Sequence, residues 1–590
     1  MRVEEGFQQV IHPDDHPYLD DPVLPSLLKR LLPEKVLTEV TPDLVRLGHD
    51  LVNHVRPLSP LVQQATLAQY NQWGRRVDQL NTSEGWRRLE DLAIREGYCK
   101  IPHERRYGPH SRVYSFAKTM TMTGDYHVIF CPLSMSDGAA RVIELFGTDK
   151  MKAEFHPRLI SSDPERALLS GQWMTERPGG SDVSQSETTA TKVPDQPGDL
   201  GPAYELNGFK RFSSAAEGNM SLALARTGKL SDGSRGLSLF LVPLRVPTFP
   251  TPLSNGVRLH RLKNKIGTWG VPTAELSLDK TRAWLIGPLN GGIKTIVPLL
   301  NLTRIHSGVH CVGSLQRCLS IARSLATVRK VHRGETLLKD IPMHVATLAQ
   351  INLLYRALAQ WTFTIVSLLG KQECGVCTPE EEARLRLMTP ALKAFGAQRV
   401  PTAIEETMTA MGGLGYMEET GMGRLLRDVL VERIWEGTVN VLALDVMRAS
   451  RDSKTVEQYV QWAFEIINSA SSIKEIQPSV KTITAVVQKL PTFFEVGRSN
   501  TLAPRTILNL LAIVSCGLAL LEHAVWSVKT NQDEKEVDLE AFRRWVDEAG
   551  GLGEVLKEYE DIQRKTEERV ILNTRLVWGV ANGKGGKAKL

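Results

Sequence analysis

Residues 172–183 read Gln172-Trp-Met174-Thr175-Glu176-Arg-Pro-Gly179-Gly180-Ser181-Asp182-Val183, a polar loop that follows an apolar run. Glycines allow a ligand to approach the backbone closely, and the N–H and hydroxyl groups of such a loop can face an anionic or polar ligand. The loop has neither the G-x-G-x-x-G pattern of dinucleotide-binding folds nor the pattern of a Walker A loop. We therefore expect a ligand-binding loop outside the Rossmann and P-loop classes.

A second segment, residues 433–440, reads Arg433-Ile-Trp435-Glu436-Gly437-Thr438-Val-Asn440. Its carboxylate stands beside an aromatic ring and directly before a glycine. Contact with apolar surface raises the pKa of a carboxylate, which can then act as a general base near neutral pH. On its own, the segment fits an ordinary helix start better than a catalytic site.

Taken together, the two segments resemble the acyl-CoA dehydrogenase superfamily. In that family T-E-x-x-x-G-S-D-V lines the flavin, and E-G-T near the end of the helical domain carries the base. The resemblance covers about residues 110–450. Three further phrases resemble its AidB-like branch (fungal or peroxisomal type): Cys131-Pro-Leu-Ser-Met135, Arg261-Leu-Lys-Asn-Lys265-Ile-Gly267, and Ile434-Trp-Glu-Gly437 with Leu444-Asp445-Val446.

The fold class that this resemblance implies is α+β and mainly α, and the hydrophobic periodicity along the chain follows the same order. An N-terminal helical domain precedes a middle antiparallel β-domain, a C-terminal helical bundle and an extra helical domain. The expected divisions are an extended N-terminal arm (1–40), the helical domain (41–170), the β-domain (171–289), the bundle (290–450), the extra domain (451–582) and a flexible tail (583–590).

The reaction that the resemblance implies is FAD-dependent α,β-dehydrogenation of an acyl-CoA thioester, by a dehydrogenase or an oxidase. Glu436 stands at the base position of the E-G-T motif. Some relatives carry the base before the arginine of the helix after the β-domain, but here that residue is Thr303, before Arg304. The alternative role for Glu436 is an ion pair with Arg433 or Arg427.

Other site residues are carried over from the family by position. Those expected to bind FAD are Met174, Thr175, Gly180, Ser181, Phe212, Ser214, Arg329, Gly412, Gly413, Trp435, Thr438 and Asn440. Those expected to bind the substrate are Ser181, Arg304 and Gly437. The alternatives are a core position for Phe212 and a helix C-cap at Gly412 and Gly413. The Gly-rich turn and Arg329 would contact the flavin of a neighbouring subunit, because the family forms homo-oligomers built as dimers of dimers.

The AidB-like branch also offers a different function, in which a flavoprotein binds DNA and protects it against alkylation. Binding to DNA without sequence preference needs a concentrated positive surface. Residues 451–590 hold 19 basic and 19 acidic residues, so their composition does not support this alternative. A flavin-bearing scaffold without turnover is a third hypothesis.

Remaining features concern location and cofactors other than flavin. The seven cysteines are odd in number and scattered, which is typical of reduced thiols in an intracellular protein, and Cys374 and Cys377 suggest no metal site. The apolar stretch Thr506–Leu521 is too short to span a membrane and predicts a buried helix. The ending Ala588-Lys589-Leu590 is a close variant of the Ser-Lys-Leu address, and predicts binding to the peroxisomal import receptor; a cytoplasmic location is the alternative.

Overall fold

The structure, a computed structural model, describes residues 14–244 and 255–579. It is mainly helical with a β-rich middle region, so the predicted α+β fold class is confirmed. The termini of the chain, including the predicted targeting tripeptide, lie outside the described residues.

The N-terminal region is mostly helical and contains one β-hairpin. Its elements are α1 (Leu24–Leu31), α2 (Glu34–Asp50), β1 (Thr66–Tyr70), β2 (Arg76–Asn81), α3 (Glu84–Arg95), α4 (Lys100–Glu104), α5 (His110–Thr123), α6 (Phe130–Phe146), α7 (Asp149–Glu154) and α8 (His156–Leu159).

Residues 24–40 differ from the extended arm that the sequence predicts, because α1 and the first part of α2 are packed helices. Leu24, Leu27 and Leu28 lie on one face of α1 and are fully buried. Pro25 in the first turn of α1 and Pro33 directly before α2 occupy positions where proline is compatible with a helix. The hairpin of β1 and β2 was also absent from the prediction; its turn closes around Gly74, whose φ is 71°.

The middle region is a seven-stranded sheet with mostly antiparallel pairing, as predicted. Pairings among β4, β5, β9, β7 and β6 close it into a ring, β3 and β8 lie outside that ring, and two pairings to β6 are parallel. Its strands are β3 (Ser170–Trp173), β4 (Thr189–Lys192), β5 (Ala203–Ser214), β6 (Met220–Arg226), β7 (Leu237–Pro243), β8 (Val257–Leu262) and β9 (Thr273–Ile286).

The remaining chain is helical apart from a short hairpin. Its elements are α9 (Gly292–Ala326), β10 (Lys330–Val331), β11 (Thr336–Leu337), α10 (Pro342–Glu373), α11 (Pro379–Ala410), α12 (Met422–Val429), α13 (Val439–Ala449), α14 (Ser453–Ser469), α15 (Gln477–Ser499), α16 (Pro504–Lys529), α17 (Lys535–Arg544), α18 (Leu552–Arg564) and α19 (Thr566–Trp578).

The extra C-terminal helices share a core with the bundle. One hydrophobic cluster runs from α1 and α5 through α9, α10 and α11 to α13–α18. Within it lies α16, which contains the apolar stretch Thr506–Leu521. By length and composition α16 is the one described helix that resembles a membrane span, yet 89% of its most apolar window is buried inside the protein. The predicted buried helix is therefore confirmed.

A smaller cluster positions the site. It joins side chains of α3 and α6 to Leu169, Ala215 and Val271 of the β-region, and Trp435 packs against it from the helical bundle. The segment before α13 thus lies where all three regions meet.

Candidate active site

Glu436 lies in a tight turn between a 3-10 turn, Leu430–Arg433, and the start of α13. Its φ is 55° and that of Gly437 is 100°, so both residues adopt a left-handed backbone. Such a conformation costs a non-glycine residue on the order of 1–3 kcal/mol and persists only where surrounding contacts hold it. The Nζ atom of Lys393, from α11, donates hydrogen bonds to the carbonyls of Trp435 (2.6 Å) and Gly437 (2.7 Å), on either side of Glu436.

The Glu436 carboxylate has few partners. The Thr303 hydroxyl donates to its Oε2 at 2.8 Å, and within the described residues no basic side chain lies within 4.0 Å of it. Burial raises its pKa, and this effect exceeds the lowering by the Thr303 hydrogen bond and by the charges of Arg304 and Lys393. The group therefore has the character expected of a general base.

The alternative role for Glu436, an ion pair with Arg433 or Arg427, is wrong. Arg433 donates to the backbone carbonyls of Ala397 and Gln398, each at 3.0 Å. Arg427 forms a bidentate pair with Glu418. Both guanidinium groups are therefore engaged elsewhere.

Thr303 and Glu436 are close in space although they are far apart in the sequence. Thr303 holds the position, on α9, at which some family members carry the base. In this chain that position holds the hydroxyl of Thr303, which donates a hydrogen bond to the carboxylate of Glu436, the residue at the E-G-T position. The two sequence positions therefore serve one place in the site.

Arg304 is engaged within the protein. Its Nη1 pairs with Asp445 at 2.8 Å, and its Nε donates to the Glu436 carbonyl at 3.3 Å. Asp445 is shared with Arg386 at 2.6 Å. Arg304 thus joins α9 to α13 and to the turn, and its predicted contact with the substrate stays a prediction.

Glu432 is a site residue that the sequence did not reveal. This buried carboxylate accepts hydrogen bonds from the Trp435 indole N–H (2.5 Å) and from the Ser307 hydroxyl, and His310 Nδ1 lies 3.7 Å away. It fixes the ring that precedes Glu436. No sequence signal pointed to it, because its partners on α9 lie more than a hundred residues upstream.

The loop that follows β3 is held by a buried ion pair. Glu176 accepts from Lys210 Nζ (2.6 Å) and from the backbone N–H groups of Glu187 (2.6 Å) and Thr188 (3.1 Å). Burial raises the pKa of Glu176, but Lys210 and the hydrogen bonds outweigh burial and lower it. The loop is thereby anchored from inside, while Gly180 and Ser181 are exposed.

Residues predicted to bind the flavin line this loop and the adjacent strand. Met174 and Thr175 are half-buried, and the Thr175 carbonyl accepts from the backbone N–H of Arg211 in β5. A Cβ atom on Gly180 would lie 2.9 Å from the Thr175 side chain, so the close approach of the loop to itself requires glycine.

The end of β5 presents an aromatic ring and a hydroxyl. Phe212 is 54% exposed, so its alternative role as a core residue is wrong. It stands at an irregularity in the pairing of β5 with β9, with a φ of 55°. The Ser214 hydroxyl lies 3.0 Å from that of Thr273 and is half-buried.

Thr438 and Asn440 stand at the start of α13. Thr438 has the extended backbone of an N-cap residue, but its side chain makes no capping hydrogen bond. Asn440 is exposed. The first N–H groups of a helix favour anions, so this end of α13 suits a phosphate or a carbonyl oxygen of a cofactor.

The remaining predicted residues lie at the surface of a single chain. Gly412 follows α11 with a φ of 64°, as in a helix C-cap, and an added Cβ on Gly412 or Gly413 would meet nothing within 4 Å. Arg329, three residues after the end of α9, is half-buried. Within the described residues no hydrogen bond or ion pair joins these three to the Glu436 turn, and their role toward a neighbouring subunit stays a prediction.

These features fit FAD chemically. Open glycine backbone, exposed hydroxyl groups and a helix N-terminus suit its phosphates and ribose, and an exposed aromatic side chain suits its ring system. Two half-buried thiols, Cys374 and Cys377, are free, and the described residues contain no cluster of metal-binding side chains.

Four family models match the chain. They are the N-terminal domain of the adaptive response protein AidB (residues 15–165), the middle domain of acyl-CoA dehydrogenase (171–281), the C-terminal domain of acyl-CoA dehydrogenase (290–450) and the acyl-CoA dehydrogenase 11 C-terminal domain-like family (454–578).

Individual proteins are similar over most of their length. The chain is 35% identical to acyl-CoA dehydrogenase family member 11 of Caenorhabditis elegans, over 90% of this chain and 88% of that protein. It is 26% identical to AidB of Escherichia coli, over 78% and 81%. The crystal structure of Caenorhabditis elegans ACDH-11 in complex with C11-CoA superposes with a TM-score of 0.86 and 34% identity, over 93% of each chain.

Proposed function

The chain belongs to the acyl-CoA dehydrogenase family, and we propose that Glu436 is the base with which it removes the α-proton of an acyl-CoA thioester. The protein is an FAD-dependent oxidoreductase that acts on a CH–CH group. The observation that carries the assignment of the base is the half-buried Glu436 carboxylate, which has a hydroxyl partner and no ion-pair partner among the described residues.

Each part of the site has a distinct task in this reaction. Bound FAD supplies the acceptor for the β-hydrogen and its electrons. The loop at 174–183, the end of β5 and the start of α13 would hold that cofactor. Glu436 takes the α-proton, and the ring of Trp435, directly before it, packs against the N-terminal and β-regions.

The raised pKa of Glu436 suits its task. A base with a raised pKa binds the α-proton more firmly once it has taken it, yet must lose its own proton before turnover. Activity should therefore rise with pH through the pKa of Glu436 and then level off. The Thr303 hydrogen bond and the nearby charges of Arg304 and Lys393 keep that pKa from rising further.

An anaerobic titration tests this function. Purified yellow protein is mixed with straight, branched and aromatic acyl-CoA thioesters, and flavin bleaching is followed in the wild type and in Glu436→Gln. We expect bleaching by at least one thioester class in the wild type and none in the variant. Bleaching in neither protein would overturn the proposed reaction, and equal bleaching in both would overturn the role of Glu436.

The acyl group itself is proposed from a relative. The structure of ACDH-11 contains C11-CoA, which supports a medium-length acyl-CoA as the substrate of this chain. Chain-length selectivity in the same titration tests this: a maximum of bleaching rate near eleven carbons supports it, and a flat series contradicts it.

Location and electron acceptor form a further proposal, which rests on the Ala588-Lys589-Leu590 sequence. We propose import into peroxisomes and transfer of electrons from reduced flavin to oxygen. A fluorescent protein fused before residue 1 should co-localise with peroxisomes, and removal of Leu590 should disperse it. Release of peroxide during aerobic turnover supports the oxidase; its absence indicates another acceptor.

A homotetramer built as a dimer of dimers is also proposed. Support comes from the exposed backbone at Gly412 and Gly413 and from exposed apolar side chains nearby in the chain, Tyr416 and Met417. Light scattering of the FAD-loaded protein measures the mass. A monomer across the micromolar range would contradict the proposal.

A further inference from the structure

Lys393 is a buried lysine in α11 whose environment is unusual. It is 0% exposed and stands between the buried residues Leu392 and Ala394. An ammonium group in such a place is strongly unfavourable unless hydrogen bonds and charges compensate for the lost water. Within the described part of the chain no carboxylate lies within 4.0 Å of it, so its hydrogen bonds go to the backbone.

The two acceptors of Lys393 are the carbonyls on either side of the candidate base. Its Nζ lies 2.6 Å from the Trp435 carbonyl and 2.7 Å from the Gly437 carbonyl. In an extended or helical segment, the carbonyls of residues i−1 and i+1 do not converge on one point in this way. They converge here because Glu436 and Gly437 have φ values of 55° and 100°.

This geometry links Lys393 to the strained backbone of Glu436. The left-handed conformation is unfavourable for glutamate and needs an external contact to hold it. A single cation bound to both flanking carbonyls is such a contact, because any rotation of residue 436 toward the ordinary region would carry at least one carbonyl away from Nζ.

We propose that Lys393 is a positioning residue for the base: its ammonium group fixes the left-handed turn that presents the Glu436 carboxylate to the substrate. Lys393 acts through the turn, because the Trp435 and Gly437 carbonyls accept its hydrogen bonds. The proposal rests on the assignment of Glu436 as the base.

The same charge affects the titration of the base. The groups that face Lys393 are Glu432, Glu436, Cys311 and Arg304; burial lowers the pKa of Lys393 to about 8, and the two glutamates oppose that effect. The groups that face Glu436 are Thr303, Arg304, Lys393 and Glu432, with the Cys131 thiol also nearby. Removal of the Lys393 cation therefore raises the pKa of Glu436.

The test compares Lys393→Met with Lys118→Met in the FAD-loaded protein. Lys118 is also a buried lysine, but it pairs with Asp43 and Glu96 and makes no contact with the turn, so it controls for loss of a buried ammonium. Three quantities are measured: the rate of flavin reduction at saturating acyl-CoA across pH, the dissociation constant of a 2,2-dimethylacyl-CoA that lacks an α-proton, and the midpoint of thermal unfolding.

Lys393→Met should reduce flavin about 100-fold more slowly than the wild type, as expected for a misplaced catalytic group. The acidic limb of its profile of flavin-reduction rate against pH should move to higher pH. The dissociation constant of the unreactive thioester should change little. Lys118→Met should lower the unfolding midpoint and keep the pH profile of the wild type. Lys393→Arg, which keeps the charge, should recover part of the pH profile.

A wild-type rate and pH profile in folded Lys393→Met would overturn the proposal. If Lys393→Met is not recovered folded, Lys393→Gln, which keeps two N–H donors on a shorter neutral side chain, is measured with the same expected and contradicting results. Failure of the proposed function has a different signature: no acyl-CoA thioester then bleaches the flavin of the wild type, or Glu436→Gln bleaches as the wild type does. An inactive Glu436→Gln with an unaltered Lys393→Met would remove the positioning role alone.

Discussion

Two regions of the molecule, the loop at 174–183 and the turn at 434–438, each contribute a glutamate to the candidate site, with opposite environments. Glu176 accepts hydrogen bonds from Lys210 and from two backbone N–H groups, and its pKa is lowered. Glu436 accepts one from Thr303, and its pKa is raised by burial. The Glu176 carboxylate thus anchors the backbone of the loop, whereas the Glu436 carboxylate remains able to accept a proton.

The difference arises from the atoms that the nearby buried lysine contacts in each region. In the loop, Lys210 binds the carboxylate itself at 2.6 Å. In the turn, Lys393 binds the two neighbouring carbonyls and leaves the carboxylate free of an ion pair. A buried lysine near a glutamate therefore predicts a structural or a reactive carboxylate according to the atoms that it contacts.

Glu436→Gln is the change with the largest expected effect. Loss of a general base lowers rates by about 10²–10⁴-fold, while the amide keeps the shape of the side chain. Flavin reduction at saturating acyl-CoA, measured by rapid mixing, should fall by this amount, with FAD content and thermal stability unchanged. Glu176→Gln is the matched control at the other glutamate, and it should reduce flavin at a rate near that of the wild type once FAD is saturating. Equal losses in both variants would remove the distinction between the two regions.

Lys210→Met should have the next largest effect, on stability and FAD affinity. Both side chains of the Glu176–Lys210 pair are nearly inaccessible, and removal of one partner of such a pair costs about 3–5 kcal/mol because the other charge stays buried. Urea unfolding and FAD titration measure the loss. The double variant Glu176→Gln with Lys210→Met should be more stable than Lys210→Met alone. Additive losses would show that the two side chains do not act as a pair.

Glu217 extends the comparison to a third buried carboxylate. Within the described residues no hydrogen-bond donor reaches either of its oxygens, and burial, with the charge of Glu90, raises its pKa to about 8. Between the ordinary pKa of glutamate and about 8 the folded state binds more protons than the unfolded state, so the unfolding free energy falls as pH rises through this window.

Glu217→Gln should remove that dependence. Because the pKa of Glu217 is raised from 4.5 to about 8, we expect the variant to exceed the wild type by up to about 5 kcal/mol in unfolding free energy at alkaline pH, and to match it below the ordinary pKa of glutamate. Urea unfolding at both pH values measures this, with Glu165→Gln as the control at an exposed glutamate. A stability gain that is equal at both pH values would contradict the titration of Glu217.

Part of this site was readable from the sequence, and part of it was not. Glu436 and the loop at 174–183 lie in two short sequence patterns that together resemble one family, so the sequence was enough to locate both. Lys393 and Glu432 act through contacts that tertiary packing creates between α11, α9 and the turn, and no local pattern encodes them. For the same reason α1 was predicted as an extended arm: its leucines are helical because α5, α10 and α16 cover them.

Thr303→Val tests the hydrogen bond that lowers the pKa of Glu436, and its expected effect is the smallest. The hydroxyl stabilises the ionised carboxylate, so its removal raises the pKa of Glu436 further. The variant should reduce flavin at the wild-type rate on the alkaline plateau and up to about tenfold more slowly at acidic pH, the size expected for a single hydrogen bond to a charged group. Thr303→Ser keeps the hydroxyl and should follow the wild-type profile. An equal loss of flavin-reduction rate at every pH would instead show that Thr303 positions Glu436. Its hydrogen bond would then have the same role as those that Lys393 donates to the turn.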